Sequence, residues 1–172
     1  MFRLLNNMKT ERIIHAFDPV FDSKSRVLVL GTMPSPKSRE LGFYYSHPRN
    51  RFWPVMAKIF EEKIPKTPEE KTDFCLRHKI ALWDVLKECD IEGASDSSIK
   101  NAVPNDINII LKNADIMAIF CTGTTAAKLY KKFIRHETKI PVIALPSTSP
   151  ANAKIKFDEL CEKYKIISEF VK

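Results

Sequence analysis

The chain has no CxxC pair, no GxxxxGK[ST] loop and no GxGxxG fingerprint, and no apolar run approaches the ~20 residues that a membrane span needs. Its four cysteines stand at 75, 89, 121 and 161 with no histidine in metal-ligand order beside them, so neither a metal nor a cofactor is expected. The opening MFRLLNNMKTERII has no sustained apolar core followed by small residues, which speaks against a secretory signal, and no membrane is expected as a partner. Together these absences suggest a reducing, cytoplasmic setting with the cysteines as buried free thiols. Acidic residues are also in deficit: 21 Asp and Glu face 28 Lys and Arg, a net charge of +7 that favours contact with a polyanion. Internal repeats, linkers and low-complexity stretches are missing too, so 172 residues are expected to form one domain, and nothing in them calls for more than a monomer.

What is present is an alternation of short apolar runs with amphipathic stretches. RVLVLG (26–31), IALWDV (80–85), DIMAIFC (115–121) and IPVIAL (140–145) have the nearly continuous apolar character of strands covered on both faces. Between them, RFWPVMAKIFEE, TPEEKTDFCLRH and GTTAAKLYKKFIRHE have helical spacing, with Thr67 as N-cap and Pro68 in the first turn of the second. A last helix is expected over AKIKFDELCEKYKII. The order predicts an α/β fold, a parallel sheet with helices on both faces, whose ligands bind outside the carboxyl ends of the strands.

The segments just past those ends are TMPSPKS, DVLKECDIEGASDSS, TGTTA and PSTSPAN, small and hydroxylated. Gly31, Thr32, Met33, Pro34 and Ser35 read as a turn offering backbone N–H groups and hydroxyls to a ligand, or as a plain strand-to-helix turn. Ser147, Thr148 and Ser149 can donate to phosphate oxygens, with Pro150 stiffening the loop and Lys154 neutralising charge, or can act as helix caps. FYYSHPRNRFW (43–53) sets aromatic rings beside Arg49, Asn50 and Arg51, a set suited to a planar, anionic ligand. Tyr44 and Tyr45 fit a loop, Phe52 and Trp53 fit a helix core, and His47 is either a cationic aid to catalysis or a structural hydrogen-bonding group.

GTMPSPKS, YYSHPRNRFW, IALWDVL, EGASDSSI and LPSTSPAN together resemble the uracil-DNA glycosylase superfamily, most closely its hypoxanthine-DNA glycosylase branch, a relative of the mismatch-specific uracil and thymine glycosylases. The similarity runs from about residue 18 to 166. It implies a three-layer α/β/α fold with a four-stranded parallel sheet, and monofunctional hydrolysis of an N-glycosidic bond in DNA containing a deaminated base. By the same resemblance, Tyr45 matches the ring that stacks on the flipped base, and Ser147 to Asn152, including Pro150 and Ala151, match the loop that pinches the backbone and fills the space left in the duplex.

Met33 stands where several branches carry a water-positioning Asp or Asn, which leaves Asn50 as the substitute. Ser147 replaces the histidine of uracil-specific enzymes, and Cys121, Thr122 and Gly123 stand where the branch often has Asn-Gly. Asn50 is therefore expected to orient the attacking water, the 31–35 turn to hydrogen-bond the departing base, and Asp84 to accept from a base N–H, unless Asp84 is a helix N-cap. Arg49 and Arg51 are expected to hold DNA. The other readings are a non-catalytic nucleic-acid-binding protein on the same fold, a uracil or mismatch glycosylase, and an enzyme of free nucleosides. Of the remaining histidines, His15, His78 and His136 are given no role.

Overall fold

A computed structural model describes residues 9–135 and 138–172. In chain order the elements are β1 (Thr10–Ile14), β2 (Val27–Gly31), α1 (Pro36–Leu41), α2 (Phe52–Ile59), α3 (Pro68–Arg77), β3 (Ile80–Asp84), β4 (Leu86–Glu92), β5 (Ser95–Pro104), α4 (Asn108–Leu111), β6 (Ala118–Thr122), α5 (Thr124–Phe133), β7 (Val142–Leu145), a 3-10 turn (Pro150–Asn152), α6 (Phe157–Tyr164) and α7 (Ile166–Phe170).

The four apolar runs form one parallel sheet in the order β3-β2-β6-β7. β2, β3 and β6 are buried at every residue, as strands covered on both faces must be. Helices flank the sheet, α3 against β3 and α5 against β6, while α2 packs on α6. The chain leaves central β2 for β3 on one side and later reaches β6 on the other, so the strand order reverses between β2 and β6. That point is where an open α/β sheet parts to admit a ligand.

The second sheet was not expected. The small, hydroxylated segment past the end of β3 contains β4 and the start of β5, an antiparallel hairpin joined to β1 in the order β1-β4-β5. Their apolar residues alternate with polar ones, and Leu86, Cys89 and Ile91 turn inward to the same core as the parallel sheet. The hairpin turns at Gly93, whose φ of 56° suits glycine. Asn105 fixes its base: its Nδ2 donates to the backbone oxygens of Asp84 (2.9 Å) and Leu86 (3.0 Å).

α3 starts as expected, with Thr67 and Glu70 forming a reciprocal capping box and Pro68 in the first turn. α2 begins one residue later than expected and ends at Ile59, and Glu61 takes a left-handed φ of 55° beyond it. α5 is shorter than the expected stretch, whose last residues, His136 and Glu137, lie outside those described. The first eight residues of MFRLLNNMKTERII lie outside them as well, and its end is strand β1. The final helix starts at Phe157 instead of Ala153 and breaks at Lys165. Arg51 lies at this start: its guanidinium takes the backbone oxygens of Asn152 (2.9 Å) and Ile155 (2.6 Å), which holds 153–155 out of the helix. The four cysteines are free thiols, three of them buried, and burial pushes those of Cys75 and Cys121 up to about 12. Among the described residues no helix is long and apolar enough to cross a membrane.

Candidate active site

A cleft of about 1060 Å³ opens at the carboxyl ends of the parallel strands. Its floor is Gly31, the last residue of β2, and three polar atoms from three other elements converge there. A Cβ on Gly31 would lie 2.5 Å from Asp84 Oδ1, 3.0 Å from the Tyr45 hydroxyl and 3.5 Å from Thr122 Oγ1. Only glycine leaves the backbone thin enough for all three to meet.

Asp84 ends β3, directly opposite Gly31 in the parallel register. The next element is a strand, so Asp84 is no helix cap. Its second oxygen, Oδ2, lies 2.7 Å from His15 Nε2, and the two side chains are 5% and 2% exposed. His15 was given no role in the sequence because 69 residues separate it from Asp84. Strand β1 brings it there: Ile14 pairs with Glu88, and the His15 N–H donates to Lys87 O at 2.7 Å. Asp96, on β5 by the hairpin tip, also lines the cleft. It is exposed by area yet enclosed by the cleft walls, and burial and the Asp84 charge raise its carboxyl above the usual range.

Tyr45 stacks on Phe52 with ring centroids 4.0 Å apart and an interplanar angle of 17°. Its hydroxyl pairs with Thr122 Oγ1 at 2.8 Å, and its φ of 52° is unusual for a bulky residue. Burial, then the Asp84 charge, pushes the phenol well above its ordinary range, so it remains a neutral hydrogen-bonding group. Thr122 thereby acquires a definite place at the floor, while Cys121 beside it is buried in β6. Gly123, at φ 105°, donates to Leu145 O (2.7 Å) and lets Ser147 approach, since a Cβ there would meet Ser147 Cβ at 3.2 Å.

The segment SHPRNRFW becomes intelligible residue by residue. His47 to Asn50 is a turn with Pro48 at its second position, closed by the Asn50 N–H to His47 O at 2.9 Å. His47 Nδ1 accepts from the Arg49 N–H (3.0 Å), so it serves the turn while bordering the cleft. Asn50 lines the cleft, and its Oδ1 accepts the Phe52 N–H at 2.9 Å at the start of α2. That bond fixes the side chain and leaves a second lone pair and the Nδ2 amine for other partners. Arg49 is exposed, with its side chain unpaired among the described residues. Arg51 acts as a structural strut: its guanidinium donates to the backbone oxygens of Asn152 and Ile155, which engages two of its five N–H donors. Trp53 is buried and donates to Tyr44 O at 3.0 Å. Tyr44 lies in the loop between α1 and α2 as expected and borders the cleft, but its ring is only 2% exposed, its hydroxyl donating to Asp18 O (2.9 Å).

The 31–35 turn has both of its expected properties. Ser35 caps α1, accepting from the Ser38 N–H at 3.1 Å, while the N–H groups of Thr32, Met33 and Ser35 find no acceptor among the described residues. Met33 and Pro34 border the cleft beside them. Across it, Ser147 accepts from the Ser149 N–H and Ser149 from the Ala151 N–H, so these hydroxyls are caps whose protons remain available. Thr148 does not face outward as expected: it is 1% exposed, its backbone oxygen accepts from Arg51, and its Oγ1 has no partner. Asn152 closes the loop onto Ser147 O (3.0 Å), Pro150 and Ala151 form its 3-10 turn, and Lys154 is exposed beyond it.

A polar cleft at the switch point of a parallel sheet, with a stacking ring and a carboxylate at its floor and a rigid hydroxylated loop on its rim, marks an α/β protein built to receive one planar, hydrogen-bonding ligand. The model of the uracil DNA glycosylase superfamily matches residues 19–169, and the chain belongs to that family. It is 32% identical over 146 residues to a hypoxanthine DNA glycosylase of Methanosarcina acetivorans, covering 83% of this chain and 90% of that protein. A hypoxanthine DNA glycosylase of Methanosarcina barkeri is 32% identical over 142 residues, covering 80% and 87%. A solution NMR structure from Methanosarcina acetivorans, of a protein described provisionally as a uracil DNA glycosylase, superposes with a TM-score of 0.78 at 27% identity, covering 91% of this chain and 97% of that one.

Two outcomes follow. Gly31→Ala should lower stability by about 1–3 kcal/mol in denaturant unfolding, since the added carbon meets a carboxylate that is itself pinned. Arg51→Met should lower it by about 1.5–3 kcal/mol per lost charged hydrogen bond while leaving the salt dependence of DNA binding unchanged; a slope reduced by about one would return Arg51 to phosphate contact.

Proposed function

We propose that this protein is a monofunctional DNA glycosylase that swings a deaminated base, foremost hypoxanthine, out of duplex DNA and hydrolyses its N-glycosidic bond, leaving an abasic site. The observation that carries this reading is the Asp84 carboxylate, with one oxygen held from behind and the other at the cleft floor above Gly31. Hypoxanthine presents an N1–H donor where adenine has a bare acceptor, so a fixed acceptor favours the first and leaves the second unpaired. The hypoxanthine DNA glycosylases at 32% identity support the same substrate class. A base inside the duplex is beyond reach of any cleft, so the target must be flipped, and Tyr45 backed by Phe52 supplies a rigid face for it.

Hydrolysis builds positive charge on the sugar and negative charge on the departing base. An amide is too weakly basic to take a proton from water before attack, so Asn50 acts by placing a water beside the forming oxocarbenium ion. Its own aim is fixed by the Phe52 N–H. Asp84 opposes a departing anion electrostatically, so stabilisation of the leaving base falls to the free N–H groups of Thr32, Met33 and Ser35. Arg49, Lys154 and the protons of Ser147 and Ser149 contact the DNA backbone, and the loop to Asn152 holds the opened duplex.

The test is excision from duplexes carrying a single hypoxanthine, uracil, xanthine or ethenoadenine, followed by alkali to cut abasic sites. Hypoxanthine strands should be cut, and binding without any cut would favour a non-catalytic DNA-binding protein instead. Under single turnover, Asn50→Ala should lose about 10²-fold or more in rate with its fold and DNA affinity intact, as expected for one preorganised polar group; full activity removes Asn50 from the chemistry. Asp84→Asn should narrow the ratio of hypoxanthine to adenine excision, and an unchanged ratio removes Asp84 from base reading.

A further inference from the structure

His15 lies outside the cleft wall, directly behind Asp84, on the segment that follows β1. Both of its ring nitrogens are engaged. Nδ1 accepts the backbone N–H of Phe17 at 3.2 Å, and Nε2 faces Asp84 Oδ2 at 2.7 Å. A backbone N–H can only donate, so Nδ1 carries no proton in this arrangement. The single proton of the neutral ring is therefore on Nε2, and it is donated to Asp84. The carboxyl oxygen that receives it is an acceptor, and in the ionised carboxylate Oδ1 is then a second acceptor at the floor. A chain of three groups thus sets the hydrogen-bonding polarity of the cleft: Phe17 N–H, imidazole, carboxylate.

Packing holds the chain in place. The His15 ring meets Phe17 edge-on with centroids 5.7 Å apart and lies 5.8 Å from the Tyr44 ring. Its backbone is anchored by the N–H to Lys87 O. Asp84 is fixed in its turn by Asn105, which grips its backbone oxygen. With the pair almost fully buried, removing the donor leaves a carboxyl with an unmet acceptor, a state that proteins avoid by rotating or protonating the group. Either response changes what the cleft presents to a base: a rotated carboxyl presents nothing, and a protonated one can donate where the unmodified site only accepts.

We infer that His15 is a positioning residue for substrate choice: held as its Nε2–H tautomer by Phe17, it keeps Asp84 an acceptor-only carboxylate aimed at the floor, so that the cleft selects bases presenting an N–H. This inference rests on the cleft being the base pocket of a DNA glycosylase, and it adds to that reading a control element from the second sheet.

The test compares His15→Phe, which keeps a ring of similar size and removes the donor, with His15→Gln, whose amide can donate from near the position of Nε2. Excision of hypoxanthine and adenine from matched duplexes is followed under single turnover. His15→Phe should lower the hypoxanthine-to-adenine ratio by about tenfold or more, a change of ~1.4 kcal/mol in transition-state discrimination. His15→Gln should restore most of that ratio. A ratio unchanged in His15→Phe overturns the inference, as does a ratio in His15→Gln no better than in His15→Phe when both melt like the unmodified protein.

A second measurement needs no activity and no variant. Long-range ¹H–¹⁵N correlation of the unmodified protein at neutral pH should show His15 with Nε2 protonated and Nδ1 bare; a protonated Nδ1 overturns the inference. Should the unmodified protein cut none of the deaminated duplexes while His15 shows the expected tautomer, the proposed function fails and the relay behind Asp84 stands.

Discussion

The site depends on one steric constraint: Gly31 has no side chain. The last residue of β2 sits where the parallel sheet parts, and because nothing projects from its Cα, Asp84, Tyr45 and Thr122 can bring three polar atoms to the same place. Each of these comes from a different element, two from strand ends and one from the loop before α2. The sheet register aligns the strand ends, and stacking on Phe52 aligns the loop. Packing far from the cleft thus becomes geometry inside it.

The second constraint is that none of the groups at the floor is loosely held. Asp84 is gripped by His15 from behind and by Asn105 through its backbone. Tyr45 is held by its hydroxyl on Thr122 and its ring on Phe52, Asn50 is tied to the first turn of α2, and Arg51 straps the opposite loop to the same segment. Preorganisation of this kind is what the proposed mechanism needs, in which fixed dipoles are aimed at developing charge. The positive-φ Tyr45 fits the pattern, a strained residue kept in place because its surroundings fix it.

The sequence revealed the parallel sheet because β2, β3 and β6 are covered on both faces and so are continuously apolar, a signal that needs no partner to be read; β7 is as apolar but, at the sheet's edge, is largely exposed and not covered as expected. It concealed the antiparallel sheet, whose strands are half exposed and rich in Ser, Asp, Lys and Asn, so that β5 in particular reads as loop. With β1 and β4 hidden, the neighbour of Asp84 was hidden too: His15 is adjacent to it only through a strand pairing across the chain. Arg51 shows the same limit. A guanidinium beside rings reads as a grip for anions, and its bonds to two backbone oxygens more than a hundred positions away could not be read from the segment itself. Asn50 and the 31–35 turn could be picked out as polar groups beside the cleft because each lies in a short segment next to a strand end or helix start.

If Asp84 reads the base, it meets the N1–H of a flipped hypoxanthine as an acceptor. A crystal structure with a duplex carrying hypoxanthine on a non-hydrolysable 2′-fluoro sugar would show this. The base should lie in the cleft, its ring against Tyr45 and its N1 within hydrogen-bonding distance of Asp84 Oδ1. A base left stacked in the duplex, or one bound in the cleft with Asp84 turned away and N1 facing another group, would contradict it.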